Sequence, residues 1–261
     1  MVRVTANPPH GTPSFIDIGL PDLDRAKEFY GGLFGWRFES LGDEAMGYEA
    51  VLLGDTMIAG MAPATGEDTG GRHWWNLYFA TDDADGTLKR IADAGGSVVQ
   101  PAVDVADQGR LAMAKDPAGG QFGLWQGAGY PGSRIVNEPG SFSWEELYTR
   151  DTGAAAEFYR NVFDLRPERL QEPFAPSDMD YVLLRHPDAG RPAAGICSDD
   201  RDVPLWVVYF EVADTDEAVR RAQDGGATLD AGPWDTPYGR VAGLHDPFGV
   251  DFRLLRSNPP S

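Results

Sequence analysis

The chain repeats itself at a spacing of about half its length. Residues 26–36, AKEFYGGLFGW, resemble residues 155–165, AAEFYRNVFDL, which lie 129 positions further on. Residues 109–125, GRLAMAKDPAGGQFGLW, resemble residues 239–255, GRVAGLHDPFGVDFRLL, at an offset of 130. Two unrelated motifs that recur at one common spacing predict two copies of a single domain.

Each half divides again into two similar units. Residues 14–20 are typical of a strand, and the apolar stripe from Leu23 to Phe34 has the spacing of a helix. Three short strand candidates follow, and the same order of elements then recurs three times. We therefore predict an α+β protein of four βαβββ modules in two domains. The predicted domains are residues 1–130 (modules 12–64 and 72–127) and residues 136–261 (modules 140–197 and 203–256).

Composition narrows the classes of partner. With 41 acidic and 22 basic residues the net charge is −19, which disfavours binding to nucleic acid and to anionic membranes. No stretch reaches the roughly 20 apolar residues that a membrane helix needs, and the N-terminus lacks the features of a signal peptide. The single Cys197 excludes an intramolecular disulfide. We expect a cytoplasmic protein, and both a monomer and a homodimer remain open.

The two repeated motifs, together with the WNxY segment from Trp75 to Tyr78, resemble the vicinal oxygen chelate superfamily. This family holds glyoxalase I, extradiol dioxygenases, and fosfomycin and bleomycin resistance proteins. The layout is most similar to two-domain actinobacterial members, which include accessory proteins of aromatic polyketide antibiotic clusters. The resemblance implies that paired modules form cup-shaped mixed sheets with helices on their outer faces.

Metal-dependent members of this family take ligands from the first and last strands of each module. In this chain six of the eight ligand positions hold Phe, Trp, Val or Gly, whose side chains cannot bind a divalent ion. The other two hold an Asn, which is a weak ligand, and an Arg, which would repel the ion. We therefore predict no metal and no cofactor, which disfavours dioxygenase and glyoxalase chemistry. The corresponding positions here are Phe15, Gly60, Asn76, Gly123, Trp144, Gly195, Val207 and Arg253.

Strand alternation predicts which side chains face the cups. Ile16, Ile18 and Leu20 should face the helix, and the intervening residues should face the cup. Glycines at ligand positions should leave room there, and aromatic rings would favour a flat aromatic ligand. The alternative is that these rings only fill the core. The predicted ligand-binding residues are Phe15, Asp17, Trp74, Asn76, Tyr78, Trp125, Trp144, Glu146, Tyr148, Tyr209 and Arg253.

Two carboxylates, Asp17 and Glu146, occupy equivalent repeat positions and are the candidate catalytic residues. A carboxylate in an aromatic cleft must be hydrogen-bonded, meet a cation, or have a raised pKa. Arg110 and Arg240, also equivalent, are candidate ion-pair partners. The same register places Glu145 on the helix side, a poor environment for a carboxylate, which argues against that register.

Two main functions remain open, beside a non-enzymatic stress or antigen-like protein whose pockets are vestigial. The first is metal-independent binding of a planar aromatic molecule, such as a polyketide or an anthracycline-like antibiotic, for sequestration, self-resistance or support of a tailoring step. The second is a metal-free tailoring enzyme that uses Asp17 or Glu146 as general base. The expected partners are an aromatic small molecule and, in the first case, a tailoring enzyme.

Overall fold

A computed structural model describes residues 3–42, 45–64, 67, 70–171, 179–187 and 191–259. The elements of the first half are β1 (Pro13–Leu20), α1 (Leu23–Phe34), β2 (Arg37–Ser40), β3 (Glu49–Leu53), β4 (Thr56–Pro63), β5 (Trp75–Ala80), α2 (Ala84–Asp93), β6 (Ser97–Val105), β7 (Gly109–Lys115) and β8 (Gln121–Gly127). Those of the second half are β9 (Phe142–Thr149), α3 (Thr152–Phe163), β10 (Arg166–Arg169), β11 (Tyr181–Arg185), β12 (Pro192–Ser198), β13 (Leu205–Glu211), α4 (Thr215–Asp224), β14 (Thr228–Thr236), β15 (Gly239–His245) and β16 (Asp251–Ser257).

The chain is an α+β protein with the βαβββ order in each quarter. The strands form two eight-stranded mixed sheets, ordered β2-β3-β4-β1-β5-β8-β7-β6 and β10-β11-β12-β9-β13-β16-β15-β14. The two modules of each half therefore share one sheet, joined where their first strands pair antiparallel. In the described parts of the chain, no helix is long and apolar enough to cross a membrane.

An aspartate precedes each of the four α-helices in the described part of the chain. The side chains of Asp22, Asp83, Asp151 and Asp214 each accept a hydrogen bond from a backbone N–H in the first turn. This bond satisfies a donor that the helix itself leaves without a partner. Because each aspartate closely follows the first strand of its module, it fixes the point at which the strand ends and the helix begins.

The predicted alternation of the first strand is confirmed. Ile16, Ile18 and Leu20 belong to the main core on the helix side of the sheet, whereas Phe15 belongs to a separate cluster on the other side. The main core includes residues of both halves, so the two domains share it. We call the sheet face without helices the cup face.

The register of β9 is as predicted, and the argument against it was wrong. Glu145 is paired with Val208, is 4% exposed, and lies on the opposite side of the strand from Glu146. Burial raises the pKa of Glu145 to about 8 despite the opposing charge of Arg191. Its Oε2 atom has no hydrogen-bond partner among the described residues. At neutral pH this carboxyl group is therefore mostly protonated, which makes its burial tolerable.

The two repeated motifs meet across the domain boundary. Tyr30 of α1 donates a 2.8 Å hydrogen bond to Asp246, which begins the second DPxG turn. Tyr159 of α3 donates reciprocally to Asp116 of the first DPxG turn, at 3.3 Å. Each aspartate also accepts backbone N–H groups of its own turn. The FY and DP motifs are thus structural, because each half supplies a tyrosine to the other half's turn.

Candidate functional site

The first cup holds a buried carboxyl group at its centre. Asp17 is paired with Gly60 of β4 on one side and Asn76 of β5 on the other. Its Oδ2 atom accepts hydrogen bonds from the hydroxyl groups of Tyr48, at 3.1 Å, and Tyr78, at 3.0 Å. Its Oδ1 atom accepts one from Asn76 Nδ2 at 2.9 Å. Three donors of this chain therefore hold the Asp17 carboxyl group.

Burial dominates the electrostatics of the first cup. It raises the pKa of Asp17 above the usual range, and the three hydrogen bonds only partly oppose it. Burial, together with the Asp17 charge, also raises the pKa of Tyr48 and of Tyr78 well above that of a free tyrosine. Both tyrosines consequently stay protonated and remain donors at physiological pH.

The second cup has the same plan with more donors. Glu146 Oε1 accepts from Tyr181 at 2.5 Å and from Trp144 Nε1 at 3.1 Å. Its Oε2 accepts from Tyr148 at 3.0 Å and from the Tyr209 hydroxyl. A carboxylate offers about four acceptor directions. Donors of the chain itself therefore occupy the whole hydrogen-bonding capacity of Glu146.

The carboxylates do not pair with the equivalent arginines, so that interpretation was wrong. Arg110 bonds to Asp85 at 2.6 Å and to Asp104 at 3.1 Å. Arg240 likewise bonds to the equivalent aspartates of the second domain. These repeated clusters each join the start of a helix to a hairpin, away from the carboxylates in the cups.

Tyrosine rings fill the space that the glycines were expected to leave open, so that prediction was also wrong. A Cβ atom on Gly60 would lie 1.7 Å from the Tyr48 hydroxyl oxygen. One on Gly123 would lie 2.1 Å from the Tyr78 ring, and one on Gly195 would lie 2.3 Å from the hydroxyl of Tyr181. Glycine is thus required for close approach of the rings that hold the carboxyl groups.

Sequence reasoning missed Tyr48 and Tyr181. They precede or begin the equivalent strands β3 and β11, and each donates to the carboxyl group of its own cup. Tyr48 follows Asp17 by 31 residues, whereas Tyr181 follows Glu146 by 35, so the offset of the repeated motifs does not align the two tyrosines. Their equivalence is visible only in the strand pairing, where each lies two residues before the partner of the equivalent glycine, Gly60 or Gly195.

The predicted aromatic residues of the first cup largely contact one another. Phe15, Tyr78, Met113 and Trp125 form one buried cluster with Tyr130, a residue of the segment that joins the domains. The ring of Phe15 lies 5.8 Å from Tyr78 and 5.9 Å from Tyr130 between centroids. At this end of the cup the rings serve as a small core. Trp74 is half-buried at the other end, where its Nε1 donates to Asn76 Oδ1.

The rings of the second cup are more accessible. Trp144 and Tyr148 are half-buried, whereas Tyr209 is buried. The Arg253 guanidinium lies 5.5 Å from the centroid of the Tyr148 ring and bonds to Asp251 at 2.6 Å. Gly243 on the adjacent strand makes space for it. The second cup therefore contains a buried cation that the first cup lacks at the equivalent Gly123.

A cavity of about 650 Å³ lies over the β2-β3-β4 side of the first cup. Ala50, Leu52 and Met57 provide an apolar floor, and Tyr130 forms part of the wall. The N-terminal segment crosses above, held where Val4 N–H bonds to the Arg134 carbonyl oxygen at 2.9 Å. Four charged side chains also line the cavity: Arg3, Glu39, Asp55 and Arg134. The lining residues are 3–7, Glu39, Leu41, Ala50, Leu52, 55–57, 128–131 and Arg134.

The residues of the cups do not fit a metal ion. The Asp17 carboxyl group is surrounded by protonated tyrosine hydroxyls and an amide, and the last-strand positions beside it are glycines covered by rings. Within the described ranges, no group of three or more His, Cys, Asp and Glu side chains could hold an ion. His10, His73 and His186 instead bond to the Val162 and Gly19 carbonyl oxygens and to the Thr12 hydroxyl.

Comparison with known proteins agrees with the duplicated fold. The chain belongs to the Glyoxalase/Bleomycin resistance protein/Dioxygenase superfamily, whose model matches residues 13–124 and 141–254. It is 36% identical over 258 residues to the anthracycline biosynthesis protein DnrV of Streptomyces peucetius, covering 94% of this chain and 93% of that one. It is 35% identical over 256 residues to the putative glyoxylase CFP32 of Mycobacterium tuberculosis, covering 95% and 96%.

Solved structures share the fold at low sequence identity. The Mn(II)-bound glyoxalase from Novosphingobium aromaticivorans superposes with a TM-score of 0.67 at 14% identity, covering 95% of this chain and 84% of that one. The 2,3-dioxygenase LapB from Pseudomonas sp. KL28 gives a TM-score of 0.64 at 16% identity, covering 97% and 95%.

Proposed function

We propose that this protein binds a planar aromatic small molecule of the anthracycline-like class without a metal ion, in the cytoplasm. Binding would sequester the molecule, protect the cell from it, or present it to a tailoring enzyme. The observation that carries the proposal is the cavity over the first cup. The similarity to a protein of anthracycline biosynthesis over nearly the whole chain supports this choice of ligand class.

The cavity has the size and lining that such a ligand requires. Its volume of about 650 Å³ lies within the range of roughly 300–1,000 Å³ that is typical of small-molecule sites. Ala50 and Leu52 of strand β3 are apolar lining residues of the cavity and are almost completely buried. Tyr130 offers a ring at the side of the cavity, against which a flat ligand can pack.

The test is a titration of metal-stripped protein with a tetracyclic anthracycline, followed by tryptophan fluorescence and corrected for absorption by the ligand. We expect saturable quenching at micromolar ligand or below. Ala50→Leu should weaken binding at least about tenfold, because it fills the floor of the cavity with the residue type found at the equivalent Leu183. The matched control is Ala92→Leu, the same substitution at an exposed position of α2.

The expected outcome is a large loss of affinity for Ala50→Leu and none for Ala92→Leu. If neither variant changes an observed affinity, the ligand binds elsewhere and the cavity argument fails. If no saturable signal appears with the unmodified protein, the proposed function itself is wrong.

The second candidate is a metal-free tailoring enzyme, and one observation favours Asp17 as its base. The raised pKa of Asp17 suits proton transfer, and its Oδ1 atom accepts a single hydrogen bond from the described residues. Glu146 is less suitable because four donors already hold it. Mass analysis of the ligand after incubation separates the two functions: an enzyme forms product that Asp17→Asn abolishes, whereas a binding protein returns the ligand unchanged.

A further inference from the structure

The cavity over the first cup has two arginines on one side. Arg134 belongs to the segment that joins the domains, and Arg3 belongs to the N-terminal segment that crosses above the cavity. The two segments are paired, because Arg3 forms an antiparallel bridge with Ile135 and the Val4 N–H bonds to the Arg134 carbonyl oxygen at 2.9 Å. This pairing brings two positively charged side chains to the same side of the cavity.

The Arg134 guanidinium group lies over a ring in the cavity wall, 5.5 Å from the centroid of Tyr130. Tyr130 is itself fixed, since its ring packs against Phe15 and its hydroxyl donates to the Met57 carbonyl oxygen at 3.3 Å. The contact orients the guanidinium group but provides no oxygen or nitrogen acceptor for its five N–H donors. Arg134 is therefore positioned at the cavity with its hydrogen-bonding capacity available.

Neither arginine is paired with an acidic residue. Within the described ranges, no carboxylate lies within ion-pair distance of Arg3 or Arg134, and no side-chain hydrogen bond joins either of them to another residue. The acidic residues of the lining belong to other elements. Asp55, in the turn between β3 and β4, is paired with Arg37, and Glu39 lies on the edge strand β2, which β3 separates from β4. Two guanidinium groups at the cavity thus lack a negative partner.

A ligand in the cavity has direct access to Arg134. Leu52 of the cavity floor is paired with Met57, and the Arg134 N–H bonds to the Met57 carbonyl oxygen at 3.4 Å. All three residues line the same cavity, and two strand spacings amount to about 10 Å. A fused ring system that lies on Ala50 and Leu52 can therefore present a substituent at its edge to the guanidinium group.

We propose that Arg134, assisted by Arg3, binds a carboxylate carried by the aromatic ligand, so that the cavity selects aromatic acids over their neutral analogues. This inference rests on the proposed function. The planar guanidinium group matches a carboxylate with two parallel hydrogen bonds, which are stronger than bonds between neutral groups. Because the chain as a whole has a net charge of −19 and repels anions, this selection depends on the two arginines at the cavity.

The test compares an anthraquinone carboxylic acid with its primary amide by isothermal titration calorimetry at low salt. The two probes have the same rings and differ in charge. The unmodified protein should bind the acid at least about fivefold more tightly than the amide, and added salt should reduce this preference. Arg134→Gln should remove most of the preference and retain affinity for the amide, and the double variant with Arg3→Gln should abolish it. Arg221→Gln, the same change at an exposed position of α4, should keep it.

Arg134→Lys provides a second measurement if the Gln variants do not fold. It keeps the positive charge but loses the planar fork, so the preference should shrink without disappearing. Equal affinity of the unmodified protein for the acid and the amide overturns the assignment, as does a preference that all the Arg134 variants leave unchanged. These results differ from a failure of the proposed function, in which neither probe and no tetracyclic anthracycline binds.

Discussion

Replacing Glu145 should make the stability of this protein much less dependent on pH. The folded state keeps this carboxyl group buried with a pKa of about 8, whereas an exposed glutamate has one of about 4.5. The folded state therefore binds the proton more tightly, and its stability falls as pH rises from the lower value through the higher one. Each step of one in pKa is worth about 1.4 kcal/mol, so the total loss is at most about 5 kcal/mol.

The substitution Glu145→Ile copies Ile16, the equivalent residue of the first domain. Urea unfolding at pH values from 5 to 9 should show that the variant gains several kcal/mol over the unmodified protein, with nearly all of the gain appearing between pH 5 and 8. Glu28→Gln, which replaces an exposed glutamate of α1, is the control and should show no comparable gain in stability. A constant difference between Glu145→Ile and the unmodified protein would refute a protonated, buried Glu145.

Two further substitutions test the packing. Tyr30→Phe removes the hydroxyl group that bonds to Asp246 across the domain boundary. The loss of that bond should lower the free energy of unfolding, measured in urea, by about 1–3 kcal/mol. An unchanged free energy of unfolding would mean that this bond does not stabilise the domain contact. Gly60→Ala should displace the Tyr48 ring and lower the free energy of unfolding by about 1–3 kcal/mol. Gly32→Ala is its control because a Cβ there meets no atom within 4 Å, and equal effects of the two would contradict the close packing at Gly60.

The fold could be predicted because both the sequence motifs and the order of the predicted helices and strands repeat along the chain. The FY and DP motifs set the duplication, and the alternation of Ile16, Ile18 and Leu20 identified the buried face of β1. Glu145 looked like an exception, because a glutamate is usually charged. Proton uptake by a buried carboxyl group is a property of the surroundings, which a strand pattern does not contain.

The candidate site was predicted only in part. Asp17 and Glu146 do lie in the cups, but their partners are tyrosines rather than arginines. The glycines at the ligand positions were expected to leave empty space in the cups. Gly60, Gly123 and Gly195 instead each accommodate a tyrosine side chain. The cavity depends on Tyr130 and the N-terminal segment, which cross the sheet from outside the repeat. Both lie outside the repeated motifs, so a comparison of the two repeats could not reveal the cavity.

The reciprocal Tyr–Asp bonds have a consequence for the origin of the chain. A bond made twice, once in each direction, is what a two-fold symmetric homodimer of a single-domain ancestor would form with itself. Fusion of two copies of the ancestral gene leaves such a contact intact and allows the two cups to acquire different residues. Arg253 could then arise in one cup while Gly123 occupied the matching position in the other. The interface that the two halves share is symmetric, whereas the cups differ at the position of Arg253 and Gly123.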